Sequence, residues 1–109
     1  MKSFTDLKQS KMLAEFLPIE SVDLYYDKHN DIKMPTLGYF GNKKFFKECP
    51  ENSPCWSLSA LINLIPSVEI ILIDNGTWAC GSMGDRVYAG NPIDACYEML
   101  IKLHEQNLL

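Results

Sequence analysis

The chain has 109 residues, of which 47% are hydrophobic and 22% are charged, and these values are typical of one globular domain. Its formal net charge is −4 and its sequence pI is about 5.0. The ten Lys and Arg residues include one arginine, Arg86, and they are scattered along the chain. Proteins that bind nucleic acid through its phosphates usually present a basic face. The composition therefore argues against a disordered chain and against a nucleic-acid-binding protein.

No segment of the sequence is expected to enter a membrane. Residues 1–6 become polar and acidic where the apolar region of a signal peptide would stand. The longest uninterrupted apolar run, Ile70–Ile73, is much shorter than the roughly 20 residues that cross a bilayer. We therefore expect a cytoplasmic protein without a membrane partner.

The cysteines of a cytoplasmic protein are expected to be reduced thiols. The four cysteines are Cys49, Cys55, Cys80 and Cys96. They form no C-x-x-C pair and have no closely spaced histidine, so the zinc-binding patterns are absent. Cys80 and Cys96 are expected to be small buried residues. Cys49 and Cys55 stand in a proline-rich loop where they can be exposed, and the expected compartment argues against a disulfide between them.

One helix, two strands and an irregular connector are predicted for the first half. Residues 4–17 are predicted to form a helix with Ser3 or Thr5 as its cap, and Pro18 is expected to end it. The alternation of apolar and polar residues over Ser21–Tyr26 predicts a half-buried strand.

A second strand, Ile32–Phe40, is predicted to pair back across the polar turn Asp27–Asp31. Pro35 restricts it to the edge of a sheet or shortens it. Residues 43–55 are predicted to form a connector with one short strand at most.

The second half gives stronger signals, beginning with a helix that Ser57 caps and Pro66 ends. Its apolar residues recur at a spacing that places them on one face. Val68–Asp74 is apolar nearly throughout, and such a run predicts a central strand with both faces covered.

A meander is predicted to follow this strand. Asn75-Gly76 is typical of a type I′ hairpin turn, which leads into the returning strand Thr77–Cys80. Gly81–Asp85 predicts a second turn, and Arg86–Ala89 predicts the third strand. Sequential strands joined by tight turns are antiparallel, so a doubly wound nucleotide-binding fold is not expected.

The last helix is predicted to run from the cap Asn91, through Pro92 in its first turn, to about Leu103, with Asn107 as its left-handed terminator. The predicted fold class is therefore α+β in a single domain. It combines an antiparallel sheet, made of the three-stranded C-terminal meander and further N-terminal strands, with helices packed on it.

No pattern of catalytic residues is present, although one alternative stays open. Cys55 paired with His29 or His104 would make a cysteine-dependent hydrolase, but neither histidine stands at a motif spacing. Asp74 is the carboxylate nearest an apolar run, and we interpret it as a residue flanking the Asn-Gly turn.

The remaining motif tests predict no catalytic residue, no metal site and no cofactor. Gly81–Asp85 lacks the lysine of a phosphate-binding loop. The small basic cluster of Lys43, Lys44 and Lys47 is interpreted as a solvated loop. A nucleic-acid-associated accessory protein that binds through this cluster is the second alternative.

Aromatic residues give the positive signal for a contact surface. Exposed aromatic side chains mark protein–protein contacts, and packing in the core is the competing interpretation. The candidate contact residues are Tyr25, Tyr39, Phe45, Phe46 and Trp78. Trp56, just before its helix, is expected to pack in the core or at its rim.

Two motifs in the second half carry a family resemblance. Trp56-Ser57-Leu58 within Pro54–Leu61, followed by Asn91-Pro92-Ile93-Asp94-Ala95, resembles small proteins from phages and mobile elements of gut Bacteroidetes. That family has no assigned activity, so the resemblance implies an origin and not a mechanism. A phage setting favours a small acidic inhibitor or accessory protein that occupies the surface of a host protein.

The sequence thus leads to a functional hypothesis. We expect a small non-catalytic protein that acts by contact with a protein partner or by self-association. The two alternatives are the Cys55-dependent hydrolase and the nucleic-acid-associated accessory protein.

Overall fold

A computed structural model describes residues 1–27, 35–37, 43–48 and 52–109 of the chain. This part has an α+β fold, which confirms the predicted class. Its helices are α1 (Leu7–Leu13), α2 (Lys43–Glu48), α3 (Leu58–Leu64) and α4 (Pro92–Glu105), with a short 3₁₀ helix at Ile19–Ser21. Its strands are β1 (Leu24–Tyr26), β2 (Thr36–Leu37), β3 (Ser53–Cys55), β4 (Glu69–Asp74), β5 (Thr77–Ser82) and β6 (Asp85–Ala89). They form two antiparallel sheets of three strands, in the orders β2-β1-β3 and β4-β5-β6.

Helix α1 is shorter than the predicted range 4–17 and begins later. The Asp6 carboxylate accepts a hydrogen bond of 2.8 Å from the Gln9 backbone N–H, and the Gln9 side chain accepts one of 3.1 Å from the Asp6 N–H. This reciprocal pair is a capping box. Thr5 does not cap the helix, because its Oγ1 accepts from the Trp56 N–H at 3.2 Å and is hydrogen-bonded to Ser10 Oγ at 2.7 Å. Its own N–H donates to the Trp56 carbonyl at 3.0 Å.

The strand predicted over Ser21–Tyr26 is confirmed in the first sheet, where it is strand β1 and is shorter than predicted. Of the second predicted strand, Ile32–Phe40, the structure describes β2, which pairs with β1. Pro35 directly precedes this strand and is not part of it. Residues 32–34 and 38–40, and most of the turn before them, lie outside the described residues. Strand β3 contains Pro54 and stands at the other edge, where a missing backbone N–H is tolerated.

The predicted connector over residues 43–55 is wrong in its first half, which contains helix α2. Lys43–Glu48 has no Gly, Pro or β-branched residue, so nothing in its local propensity opposes a helix. The basic cluster therefore lies on a helix and not on a loop.

The second sheet confirms the meander and corrects the place of its first strand. Strand β5 is central, and β4, which covers most of the predicted central strand Val68–Asp74, lies at an edge. Two successive tight turns place the second strand of a meander between its neighbours, whatever the hydrophobicity of the first.

The two turns of the meander also differ from expectation. In the Asn75-Gly76 turn only Gly76 has a positive φ, of 86°, so the turn is not type I′. Met83 and Gly84 join β5 to β6 with φ values of 53° and 83°. Both central residues of this second turn are left-handed, as type I′ requires.

Helix α4 confirms its predicted start and end. The Asn91 side chain accepts from the Asp94 N–H at 2.8 Å. At the other end Asn107 is left-handed, with φ of 56°, and the Leu108 N–H donates to the Leu103 carbonyl at 2.9 Å. This closure is a Schellman motif. Among the described helices, α4 included, none has the length and apolar character needed to cross a bilayer.

The core lies between α1, α3, α4 and the inner face of the second sheet. Its largest fully buried side chains include Trp56, Leu61, Met99 and Leu100. The burial of Trp56 confirms its expected role in packing. Helix α4 packs mainly against β5 and β6, so its apolar stripe covers two strands of the second sheet and leaves β4 at the margin.

Candidate functional site

The outer edge of β4 exposes three consecutive large apolar residues, more than any other run in the described part of the chain. This strand pairs with β5 on one side, and no strand in the described part of the chain pairs with its other side. Ile71, Leu72 and Ile73 are 39%, 55% and 45% exposed, and these three residues are called the edge patch below. Long apolar edge strands are sites where another chain can pair.

The edge patch is exposed on both faces of the sheet. Leu72 pairs with Trp78 and so shares the inner face, but it is 55% exposed, because α4 packs mainly against β5 and β6. Ile71 pairs with Ala79, which in turn pairs with Tyr88, and these residues share the outer face. A strand placed beside β4 would therefore meet apolar side chains on each of its faces.

The backbone of β4 offers hydrogen-bonding groups at the same edge. Ser82 and Asp85 close the two-residue turn before β6, so they form a hydrogen-bonded pair. Because such pairs alternate along a strand, Ala79 directs its N–H and C=O towards β4 and bonds with Ile71. The N–H and C=O of Leu72 then point outward, away from the sheet.

A bulge shapes the end of β4. The register shifts between Leu72 and Asp74, so that Asp74 is opposite Thr77 and Ile73 is the extra residue. In a regular strand without a bulge, Asp74 would stand two residues after Leu72 on the same face as Leu72, the inner face. With the bulge, Asp74 shares the outer face with Glu69, which is opposite Gly81.

Carboxylates therefore stand at both ends of the edge patch on one face. The Glu69 side chain is 68% exposed, and its Oε2 lies 4.0 Å from Nη2 of Arg86, whose side chain is 46% exposed. An ion pair this long and this exposed to water contributes little energy. Asp74 is exposed beside the turn and makes no ion pair with any described residue.

A hollow of about 550 Å³ lies at the Glu69 end of the sheet, where the residues of the β5–β6 turn also line it. Gly81 stands between Glu69 and Arg86 in the cross-strand row and has no side chain to fill that space. A Cβ built on Gly81 would come no closer than 3.6 Å to its neighbours, so the position has room for a methyl group.

The predicted aromatic contact residues lie in different environments. Tyr25, Phe46 and Trp78 are partly buried, and Phe46 and Trp78 pack against the core. Only the backbone of Phe45 is described, and Tyr39 lies outside the described residues. Among the described side chains, those of the edge patch on β4, which was predicted to lie inside the sheet, are more exposed than the candidate aromatic residues.

Cys55 is fully buried, contrary to the open position considered for it. Its thiol donates to the Thr5 carbonyl at 3.4 Å, and burial raises its pKa. A nucleophilic cysteine needs a lowered pKa. The His104 ring stacks on Phe16 with centroids 4.0 Å apart, and His29 lies outside the described residues. These surroundings disfavour a Cys55 nucleophile.

Cys80 and Cys96 are buried, as predicted, and the three described cysteines are free thiols. A hydrogen bond between the two thiols lowers the pKa of Cys80 and raises that of Cys96. Cys49 lies outside the described residues, and Cys55, with which a disulfide was considered, is a free thiol. Within the described ranges no three His, Cys, Asp or Glu side chains are grouped to hold a metal ion.

The long-range polar contacts of the N-terminus had no signal in the sequence. Lys2 Nζ lies 3.0 Å from the Asp6 carboxylate and 2.8 Å from that of Asp94. Gln9 Nε2 donates to Asp94 at 2.8 Å. These contacts tie the N-terminus to α4 and have a structural role.

Comparison of the chain with protein family models, with curated proteins and with solved structures finds no match. The candidate site is therefore defined by geometry alone.

Proposed function

We propose that this protein acts without catalysis, by binding another protein through the outer edge of β4. The observation that carries the proposal is the edge patch, in which three consecutive apolar residues are 39–55% exposed on a strand paired on one side. Removing this surface from water in a complex would supply hydrophobic free energy.

The form of contact that fits this edge is strand addition. In this mode backbone hydrogen bonds to an exposed strand give affinity, and alternate side chains give specificity. The outward N–H and C=O of Leu72 supply the backbone groups, and Ile71 and Leu72 supply one apolar side chain on each face. Edge strands are commonly protected by Lys, by Pro or by bulges; β4 contains no Lys or Pro, and its bulge lies only at the Asp74 end.

The wider setting is part of the same proposal. The free, buried thiols are compatible with a reducing cytoplasm. The resemblance of the Trp56-Ser57-Leu58 and Asn91–Ala95 motifs to phage and mobile-element proteins favours an accessory or inhibitory role. We infer a small phage-encoded protein that occupies the surface of a cytoplasmic partner.

Affinity capture from a lysate of a gut Bacteroidetes host tests the proposal. The bait is compared with Leu72→Lys, which places a charge in the edge patch, and with Met12→Lys, which makes the same change on α1. Met12 is 43% exposed and Leu72 is 55% exposed, so the two changes are matched.

We expect the same partner with the wild type and with Met12→Lys, and its loss with Leu72→Lys. Capture that Leu72→Lys leaves unchanged would show that the contact lies elsewhere. The purified protein turning over a small molecule, with no partner captured, would contradict the non-catalytic role.

A further inference from the structure

We infer that the strand recognised by β4 belongs to a foreign protein and has an apolar centre between two basic residues spaced four positions apart. This inference rests on the proposed function, because it assumes that β4 binds by strand addition. It adds the chemistry of the partner.

The apolar centre follows from the two exposed faces of β4. A strand that pairs with β4 directs successive side chains to opposite faces. It meets Ile71 on the outer face and Leu72 on the inner face, and both are substantially exposed. Cross-strand pairs of apolar side chains stabilise such a contact on each face.

The basic flanks follow from the carboxylates at the two ends. Glu69 and Asp74 are both on the outer face, with Ile71 between them. Arg86 neutralises Glu69 weakly at 4.0 Å, and Asp74 has no cation among the described residues. Opposite charges paired across strands are favourable and like charges are not.

The spacing of the two basic residues follows from the bulge. Glu69 and Asp74 are five residues apart, but the extra residue Ile73 makes them equivalent to the first and fifth positions of a regular strand. A partner with regular pleating would therefore place its two cations four positions apart on one face. The hollow beside Glu69 has room for one of these long side chains.

A second copy of this chain is a poorer occupant of the same edge. In an antiparallel pair of β4 strands the Glu69 end lies beside the Asp74 end of the other copy, and in a parallel pair Glu69 lies beside Glu69. Either arrangement brings carboxylates together, and each copy has a formal net charge of −4.

Two peptide probes test the inference by fluorescence anisotropy. The first is acetyl-Thr-Lys-Ile-Val-Ile-Lys-Thr-amide and the second has glutamate in place of both lysines. We expect the lysine peptide to bind more tightly by about two- to fivefold for each charge pair. The difference should shrink in high salt, because these charges are exposed.

Protein variants assign the effect to β4. The double variant Glu69→Gln with Asp74→Asn should remove the preference for the lysine peptide. Leu72→Pro removes an outward N–H without touching the ladder to β5, and it should abolish binding of both peptides. Leu72→Ala keeps that N–H and is the matched control. A lysine peptide N-methylated at the isoleucine that lies opposite Leu72 in an antiparallel pair removes the reciprocal hydrogen bond, which the peptide donates to the Leu72 C=O, without changing the protein.

The outcomes separate the inference from the proposed function. Equal binding of the two peptides, lost in Leu72→Pro, would overturn the charge rule and leave strand addition standing. Sedimentation showing a wild-type dimer that Leu72→Pro dissociates, with neither peptide bound, would replace the foreign strand by a second copy. Absence of both peptide binding and self-association would overturn the inference, and affinity capture would then decide the proposed function alone.

Discussion

The N-terminal segment and strand β4 both lie at the margin of the fold, and they are stabilised in opposite ways. Residues 2–10 are held by hydrogen bonds to distant parts of the same chain, such as the contact of Thr5 with Trp56 at 3.0 Å. No strand in the described part of the chain pairs with the outward backbone groups of β4, and its three apolar side chains are 39–55% exposed. A margin whose polar groups find partners within the chain supports the fold, whereas the exposed apolar margin is the surface that we propose binds another protein.

The contrast extends to the surroundings of Asp94. Its carboxylate accepts hydrogen bonds from Lys2 and Gln9 in the N-terminal segment and from Asn91 in its own helix cap, each at 2.8 Å. At the outer edge of β4 the Asp74 carboxylate has no such set among the described residues. Substitutions should therefore affect stability at the first margin and binding at the second.

The largest effect is expected for Trp56→Ala. Trp56 is fully buried, and its Nε1 donates to Ser21 Oγ at 2.9 Å, so its removal leaves a cavity where the N-terminal segment joins the core. We expect a loss of about 3–5 kcal/mol in the free energy of unfolding, measured by urea denaturation. Trp56→Phe keeps most of the volume and should cost less. A cost below about 1 kcal/mol for the alanine variant would mean that this joint does not support the fold.

Asp94→Ala should have an intermediate effect. It leaves Lys2 and Gln9 without their partner and removes an acidic residue from the first turn of α4. The side chain is 35% exposed, so solvent screens part of the interaction, and we expect a loss of about 1 kcal/mol. The double variant with Lys2→Met measures the coupling of the ion pair. Additive costs in that cycle would show that the contact contributes no coupling energy.

The same carboxylate predicts how stability depends on pH. Burial alone would raise the pKa of Asp94, but hydrogen bonds from Lys2, Gln9 and Asn91 outweigh it and hold the pKa below 3.8. Its stabilisation is therefore complete above pH 3.8 and is lost as the pH falls through the lower pKa of the folded state. Unfolding followed from neutral pH to about pH 3 should show a smaller loss in Asp94→Asn than in the wild type. Identical profiles would exclude this residue as a source of the acid sensitivity.

Local signals account for the parts of the fold that the sequence predicted well. Ser57, Asn91 and Asn107 each act within a few residues of their own position, and each has the capping or terminating role expected for it. The start of α1 was mispredicted for the opposite reason. Thr5 is hydrogen-bonded to Trp56, about fifty residues later in the chain, and the sequence around Thr5 gives no indication of that contact.

The candidate site was visible in the sequence, but its exposure was not predicted. The run Ile70–Ile73 stood out as the longest apolar segment, and a buried central strand and an exposed edge strand can share that pattern. The two tight turns of the meander already place this strand at an edge, whereas the exposure of its side chains depends on which strands α4 covers, and that is settled by packing between elements distant in sequence. The bulge that brings Asp74 to the face of Glu69 likewise has no signature in the run itself.

The smallest effect on stability is expected for Leu72→Lys. Leu72 is 55% exposed, and the stem of a lysine side chain can cover part of the surface that it leaves, so the free energy of unfolding should change by about 0.5 kcal/mol. Aggregation, followed by light scattering at increasing protein concentration, should fall, because lysine on an edge strand opposes pairing with other chains. Destabilisation as large as that of Trp56→Ala would mean that β4 supports the core. Both margins would then contribute to the free energy of unfolding, and the exposure of the edge patch would no longer support its role as a binding surface.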